Sequence, residues 1–162
     1  MIKYTVLDSP IGAMPCDRDE IGIRTLILLE GRMHTAPDPA WVRDDDAFDD
    51  VRTQLGEYFA GTRTSFDLPL HALGSSWQQK VWKALLDIPC GETESYGALA
   101  ARIGAPGAAR AVGLANGQNP IPIIVPCHRV IGANGSLTGY GGGLDAKRWL
   151  LAHEAQRTGL FA

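Results

Sequence analysis

The hydrophobic pattern of this 162-residue chain changes near Ala72-Leu73-Gly74-Ser75. Before this segment, Ile2 to Leu7 and Ile21 to Glu30 are rich in β-forming residues and are separated by turn-forming residues, which predicts a small antiparallel sheet. After it, apolar residues recur at the spacing of helices. The length allows one domain or two small ones that share a core. We therefore expect an α/β domain in residues 1–74 and a mostly helical domain in residues 75–162.

One helix and one further strand complete the predicted N-terminal domain. The helix is amphipathic and stops at Gly61; its apolar positions are Phe48, Val51, Leu55 and Phe59. The acidic run Asp44-Asp45-Asp46 precedes it, as acids favour a helix N-terminus. A short strand is expected over Phe66 to Leu70.

The second half opens with a well-marked helix. Ser75 or Ser76 can cap this helix, and Pro89 ends it. Its apolar positions are Trp77, Val81, Ala84, Leu85 and Ile88.

Two shorter helices follow. Ser95 can cap a helix over Tyr96 to Ile103, which Gly104 terminates. Pro106 stands where a first helical position would be, and a second helix is predicted over Gly107 to Asn116. Two short helices joined by a Gly-containing turn match a helix-turn-helix, although any small helical hairpin gives the same pattern.

The second of these helices has an unusual face. The spacing puts Arg110, Gly113 and Gly117 together, while the expected packing side is Ala108, Ala111, Val112 and Ala115. A face of nearly bare backbone around one arginine can approach a nucleic-acid backbone or groove closely. The alternative is an exposed arginine on a short helix.

Cys127 is the cysteine whose neighbours favour chemistry. His128 and Arg129 follow it directly, and a base and a cation near a thiol favour the nucleophilic thiolate. The alternative is a buried, inert cysteine. Cys16 and Cys90 lack such neighbours, and three widely spaced cysteines fit neither a disulfide framework nor a zinc knuckle.

Glu154 is a candidate for the third group that orients a base. On the predicted C-terminal helix it shares a face with Lys147, Leu150 and Leu151, and a buried carboxylate is costly unless it is paired. His128 is a candidate partner; the alternative is a solvated glutamate. No Cys or His residues have zinc-ligand spacing, so we expect no metal.

The net charge of −3 is an average over unlike halves. Residues 1–76 hold 7 Lys and Arg against 13 Asp and Glu, a net −6, whereas residues 77–162 hold 8 against 5, a net +3. The acidic bias that would argue against a nucleic-acid partner therefore belongs to the first half. With no apolar run of membrane-spanning length and no signal sequence, we expect a cytoplasmic protein without a membrane partner.

Several motifs occur in a fixed order between Trp77 and Glu154, with a weak continuation at Asp8 to Gly12. They are Ser95-Tyr96-Gly97, Arg110-Ala111-Val112-Gly113, Asn119-Pro120, Pro126-Cys127-His128-Arg129-Val130 and Trp149-Leu150-Leu151-Ala152-His153-Glu154. With them the chain resembles the O6-alkylguanine-DNA alkyltransferases. The resemblance implies a small α/β domain followed by a helical domain with a helix-turn-helix.

The resemblance also implies a reaction. An alkyl group moves irreversibly from O6-alkylguanine in double-stranded DNA, with O4-alkylthymine as a second substrate, to the protein's own cysteine, without a cofactor and in a monomer. Cys127 is then the acceptor, His128 the base acting through a water, and Glu154 the residue that orients His128. Asn119 would brace the active-site turn, and Tyr96 would stabilise charge on the leaving base.

DNA contacts follow from the same resemblance. Arg110 would enter the stack from the minor groove and replace the flipped nucleotide, as chemistry on a base in a duplex requires the base to be extruded. The other implied DNA contacts are Ala111, Gly113 and Ala115. The base pocket would be lined by Val130, Tyr140, Pro122 and Gly141. Two departures stand out: Cys90 replaces a common tyrosine, and the zinc ligands of some members are not evident.

Two other classes of function remain open on sequence. One is a non-catalytic protein that binds alkylated DNA, or a helix-turn-helix regulator; such damage-binding relatives lack the cysteine that is present here at Cys127. The other is a cysteine hydrolase using Cys127, His128 and Glu154. Adjacent Cys and His side chains point in different directions on most backbones, which disfavours a direct thiol–imidazole bond of the protease kind.

Overall fold

The computed structural model describes residues 1–28, 37–137 and 143–157. The N-terminal part contains a four-stranded sheet in the order β3-β2-β1-β4. Its strands are β1 (Lys3–Leu7), β2 (Met14–Arg18), β3 (Ile23–Leu26) and β4 (Val42–Arg43). The first three strands are antiparallel neighbours, whereas β4 runs parallel to β1.

The predicted antiparallel sheet is therefore mixed, and two of its strands were not predicted. Strand β2 contains Pro15 and two charged residues, so its sequence lacks the usual β-forming signature. Strand β4 has only two residues, which is too short for any periodicity to be read.

The predicted amphipathic helix is confirmed as α1 (Asp49–Ala60). A 3-10 turn at Asp45–Phe48, capped by the Asp44 side chain, leads into it. The helix ends at Gly61, whose φ of 88° is the left-handed conformation that glycine adopts at low cost.

The strand predicted over Phe66 to Leu70 is wrong. This segment is irregular and contacts β3 through a single bridge, between Ile23 and Leu70. The Ile23 amide donates to the Pro69 carbonyl at 2.9 Å, but Pro69 itself has no amide hydrogen with which to extend a ladder.

The second part is mostly helical, as predicted. Its helices are α2 (Ser76–Leu85), α3 (Tyr96–Arg102), α4 (Ala109–Gly117) and α5 (Leu144–Arg157). Ser75 caps α2 in a capping box with Gln78, and Ser95 caps α3. A short parallel pair, β5 (Glu94–Ser95) and β6 (Val130–Ile131), connects the start of α3 to the segment after Cys127.

Two helix boundaries differ from the prediction. Helix α2 ends at Leu85, and turns cover the residues up to Pro89. Helix α4 begins at Ala109, so Pro106 is not its first residue. Gly107 has a φ of +87°, which is incompatible with a right-handed helix and delays its start.

The two halves share one hydrophobic core. Trp82 of α2 donates its indole hydrogen to the Ala115 carbonyl of α4 at 2.8 Å, and the Leu26 amide of β3 donates to the Pro120 carbonyl at 2.9 Å. Helix α4 is thereby attached to α2, and the turn after α4 is attached to the sheet of the N-terminal half. No helix within the described ranges is long and apolar enough to cross a membrane.

Candidate active site

The segment between α4 and Cys127 is a compact, buried turn. Asn119 ties it together, because its side-chain amide donates to the Val125 carbonyl at 2.8 Å and its oxygen accepts from the Ile121 amide at 3.0 Å. Ile123 has a φ of 73°, a conformation that is rare for a β-branched residue. Asn119 therefore lies where a brace for this strained turn is needed.

Cys127 begins a single 3-10 turn that ends at Arg129. Its side chain is buried, its amide donates to the Val125 carbonyl at 2.8 Å, and its carbonyl accepts from the Asn116 side chain at 3.2 Å. Sequence reasoning did not single out Asn116. The signal available was its place beside Val112 and Ala115 on the buried side of α4.

Glu154 of α5 is the centre of a buried hydrogen-bond network. Its Oε2 lies 2.7 Å from His128 Nε2 and accepts from the Tyr58 hydroxyl at 2.6 Å. Arg129 binds the same carboxylate through two nitrogens, at 2.8 Å to Oε1 and 2.9 Å to Oε2, and also donates to the Ile88 carbonyl at 2.7 Å. The structure thus brings His128 and Glu154 together, and adds Arg129 and Tyr58.

The charges in this network fix the role that each group can play. Burial alone raises the pKa of Glu154, but the hydrogen bonds and charges of His128 and Arg129 outweigh burial and hold that pKa well below its usual range. Burial lowers the pKa of His128, so its imidazole is neutral at physiological pH. Burial and the Glu154 charge raise the pKa of Tyr58, so its hydroxyl keeps its proton and donates.

These protonation states set the tautomer of His128. An ionised Glu154 can only accept, so the His128 proton is on Nε2. The buried Nδ1 atom has no hydrogen-bond partner among the described residues. His128 therefore has a free lone pair that can accept a proton, held in place by a carboxylate on its other side.

Lys147 is a second buried group that sequence reasoning did not select. It is fully buried on α5 and donates to the Val130 carbonyl at 2.7 Å. Its ammonium also lies 6.0 Å from the centre of the Tyr96 ring. Burial lowers the pKa of Lys147 to about 8, against an opposing effect of Cys127. Lys147, Tyr96 and Cys127 are thus neighbours, and the signal for Lys147 was its position on the same helix face as Glu154.

Two family models match almost the whole chain. The model of the DNA binding domain of 6-O-methylguanine DNA methyltransferase matches residues 76–156, and the model of its ribonuclease-like domain matches residues 2–72. The chain belongs to the 6-O-methylguanine DNA methyltransferase family.

Individual relatives match over nearly their full length. The methylated-DNA–protein-cysteine methyltransferase of Mycobacterium bovis is 55% identical over 162 residues, covering 97% of this chain and 94% of that protein. That of Methanosarcina acetivorans is 49% identical over 151 residues, covering 93% and 97%. The structure of Mycobacterium tuberculosis OGT in complex with DNA has a TM-score of 0.89 at 54% identity, covering 96% and 94%. The predicted fold class is confirmed.

In this methyltransferase family member, the outward face of α4 differs in part from the prediction. Arg110 and Ala111 are exposed, and Arg110 forms no hydrogen bond or ion pair with any described residue. Gly113 lies against the Tyr96 ring, at 3.6 Å from where a Cβ would be. Ala115, the other predicted DNA contact, is buried, and its carbonyl accepts from the Trp82 indole at 2.8 Å. Ala111 is outside the packing side on which its spacing had placed it.

The predicted base pocket is only partly described. Val130 and Pro122 are both buried next to the Cys127 turn, while Tyr140 and Gly141 lie outside the described residues. A cavity of about 440 Å³ lies elsewhere, and its lining includes Phe66, Cys90 and Arg129 but neither Cys127 nor Val130.

Three further cysteine and histidine side chains of this family member have structural surroundings, namely Cys16, His71 and His153. Cys16 is buried in the sheet, and burial raises the pKa of its thiol, which keeps it protonated. His71 pairs with Asp19 at 2.7 Å, and His153 lies 2.7 Å from the Tyr58 carbonyl. Within residues 1–28, 37–137 and 143–157, no group of three or more His, Cys, Asp or Glu side chains could hold a metal ion.

Proposed function

We propose that this protein repairs DNA by moving an alkyl group, typically methyl, from O6 of guanine in duplex DNA onto Cys127. The observation that carries the proposal is the buried His128, which directly follows Cys127 in the chain. Its Nε2 atom is hydrogen-bonded to Glu154, while its Nδ1 atom has no partner among the described residues. Membership of the 6-O-methylguanine DNA methyltransferase family and the DNA complex of the mycobacterial relative support it.

The chemistry needs one proton transfer and one displacement. His128 Nδ1 accepts the Cys127 proton through a water, and the thiolate attacks the alkyl carbon. The S–C bond forms as the C–O6 bond breaks, and the electron pair of the broken bond passes to guanine. The Tyr96 hydroxyl stabilises that developing charge as a donor. The thioether that forms is chemically stable, so each molecule reacts once.

The DNA-facing part of the proposal rests on α4. Arg110 enters the duplex from the minor groove and fills the space of the flipped nucleotide. Ala111 and Gly113 lie close to the DNA backbone. The exposed, unpaired state of the Arg110 side chain within the described part of the chain supports this role. Val130, Pro122, Tyr140 and Gly141 line the pocket for the flipped base, and O4-alkylthymine is a second substrate.

Three broader expectations belong to the same proposal. The boundary between the two domains falls between residues 1–74 and 75–162. The protein acts as a monomer without a cofactor, and it works in the cytoplasm.

A duplex repair assay tests the proposal. A duplex with one O6-methylguanine is incubated with an equal amount of protein and digested to nucleosides. We expect guanine to be restored by the wild type and by Cys90→Ser, and not by Cys127→Ser. If a folded wild-type protein leaves O6-methylguanine intact, the proposal is wrong.

A further inference from the structure

Tyr58 connects the N-terminal half to the buried network around Glu154. It lies near the end of α1, is 1% exposed, and its ring packs against Phe59, Phe66 and His153. Its hydroxyl donates to Glu154 Oε2 at 2.6 Å across a separation of 96 residues. The N-terminal half therefore touches the carboxylate that holds His128.

Tyr58 and His128 bind the same oxygen of Glu154. Oε2 accepts hydrogen bonds from the Tyr58 hydroxyl at 2.6 Å, from His128 Nε2 at 2.7 Å and from one Arg129 nitrogen at 2.9 Å. Donors that share one acceptor weaken each other's hold on it, because each withdraws part of its negative charge. Removing the tyrosine hydroxyl leaves more of that charge to stabilise a proton on the imidazole.

We propose that Tyr58 is a positioning residue for the alkyl transfer proposed above, and that its hydroxyl sets the pH at which Cys127 reacts by limiting how strongly Glu154 holds a second proton on His128. The proposal rests on that function and adds a part for the N-terminal half. A purely structural role for Tyr58 would need only the packing contacts of its ring, whereas the role proposed here needs its hydroxyl.

The charged and titratable groups around this pair come from every element that packs on it. The Cys127–Arg129 turn supplies Cys127 and Arg129, and the turn after α2 supplies Cys90. Helix α5 supplies Lys147 and also His153, whose ring contacts that of Tyr58. Arg129 and Lys147 both disfavour a second proton on His128, and Glu154 favours one. Tyr58 acts on this balance without carrying a charge, so replacing it by phenylalanine removes one hydrogen bond to Glu154 and leaves the net charge of the site unchanged.

The test is the pH profile of the single-turnover rate. The rate is measured for wild type, Tyr58→Phe and Phe59→Leu, each in saturating excess over a duplex with one O6-methylguanine. Under these conditions the measured rate does not depend on the affinity for DNA. Phe59→Leu is the matched control, because it removes ring contacts of Phe59 with Tyr58, Trp149 and His153 but keeps the Tyr58 hydroxyl as a donor to Glu154.

We expect Tyr58→Phe to move the acidic limb of the profile to higher pH by about 0.5 to 1 unit. At pH values on that limb the rate should fall about three- to tenfold, while the plateau rate at higher pH stays near that of wild type. Phe59→Leu should keep the wild-type limb even where its melting temperature falls. An unmoved limb in folded Tyr58→Phe, or an equal shift in Phe59→Leu, overturns the proposal.

A second substitution keeps the test independent of the stability of Tyr58→Phe. Placing 3-fluorotyrosine at position 58 alone retains the hydroxyl and makes it a stronger donor, so the limb should move to lower pH. A limb at the wild-type position would contradict the proposal. If wild type itself transfers no methyl group, the function proposed above fails instead, which separates the two results.

Discussion

At the scale of single residues, the site depends on Glu154 being ionised inside the protein. A buried carboxylate is costly unless its hydrogen bonds are complete, and here His128, Arg129 and Tyr58 all donate to it. Those bonds leave His128 with one tautomer and an open Nδ1. The helical spacing of Lys147, Leu150, Leu151 and Glu154 indicated the inward face of α5. The partners Tyr58 and Arg129 could not be read from spacing, because they come from distant parts of the chain.

Glu154→Gln is expected to lower the free energy of unfolding at pH 7 by about 3 kcal/mol, since it leaves the buried Arg129 without a counter-charge. The pKa of Glu154 is lower in the folded than in the unfolded protein, so its contribution is complete above the ordinary value of 4.5 and declines as pH falls below it. The difference between wild type and variant should therefore shrink between pH 7 and pH 3.5, as measured by urea denaturation.

Glu57→Gln is the control for this comparison, because Glu57 forms a half-exposed ion pair with Arg63 at 2.8 Å. Such a pair contributes at most about 1 kcal/mol, and removing it should change stability little at either pH. A Glu154→Gln difference that stays the same at both pH values would show that the carboxylate charge is not what stabilises the network.

At the scale of elements, α3 and α4 form the helix-turn-helix, and α4 presents different residues to the two sides. Val112, Ala115 and Asn116 are buried toward the core and the Cys127 turn, while Arg110 and Ala111 are exposed. The same helix therefore supports the reactive cysteine and carries the surface that we assign to DNA. The sequence predicted this helix but not its first residue, because Gly107 adopts a left-handed conformation that the pattern does not reveal.

Arg110→Ala should slow the repair of O6-methylguanine in a duplex at least tenfold and change the reaction with free O6-benzylguanine by less than twofold. The reason is that only the duplex requires a side chain to replace an extruded base. Arg52→Ala is the matched control, because Arg52 is an exposed arginine of α1 far from α4 in the sequence, and it should react like wild type with both substrates. Equal losses on both substrates for Arg110→Ala would contradict the flipping role.

At the scale of the whole molecule, the charge of the helical half is smaller at its surface than the sequence indicates. Of its cations, Arg129 and Lys147 are buried, and Arg102 is paired with Glu94 and Asp87. Lys80, Lys83 and Arg110 are exposed, and Arg148 is exposed but paired with Asp145 at 3.0 Å. The N-terminal half adds a net charge of −6. DNA binding by such a surface relies on shape more than on charge.

Binding to an undamaged duplex should therefore depend weakly on salt. A footprint of about three phosphate contacts gives a slope of log K against log salt concentration near −3. Fluorescence anisotropy of a labelled duplex between 50 and 200 mM NaCl measures it. A slope two or more times steeper would mean that cations outside this surface take part.

The sequence predicts the helices of both halves better than the sheet, for physical reasons. Ser75, Ser95 and Gly61 act locally, as caps and a stop, and a local signal survives in any fold. Strand β4 and the irregular segment before Leu70 depend on partners far along the chain. The same holds for the site: Cys127 and His128 are adjacent in sequence, whereas the Tyr58 contact exists only once both halves have packed together.

The most direct test of the central claim is the mass of the protein after it meets damaged DNA. Full-length protein is incubated with a duplex containing O6-methylguanine, its intact mass is measured, and the tryptic peptides are mapped. We predict a gain of one methyl group per molecule, on the peptide that contains Cys127 and on no other. A folded protein with unchanged mass, or with the methyl group on Cys90 or Cys16, would contradict the account.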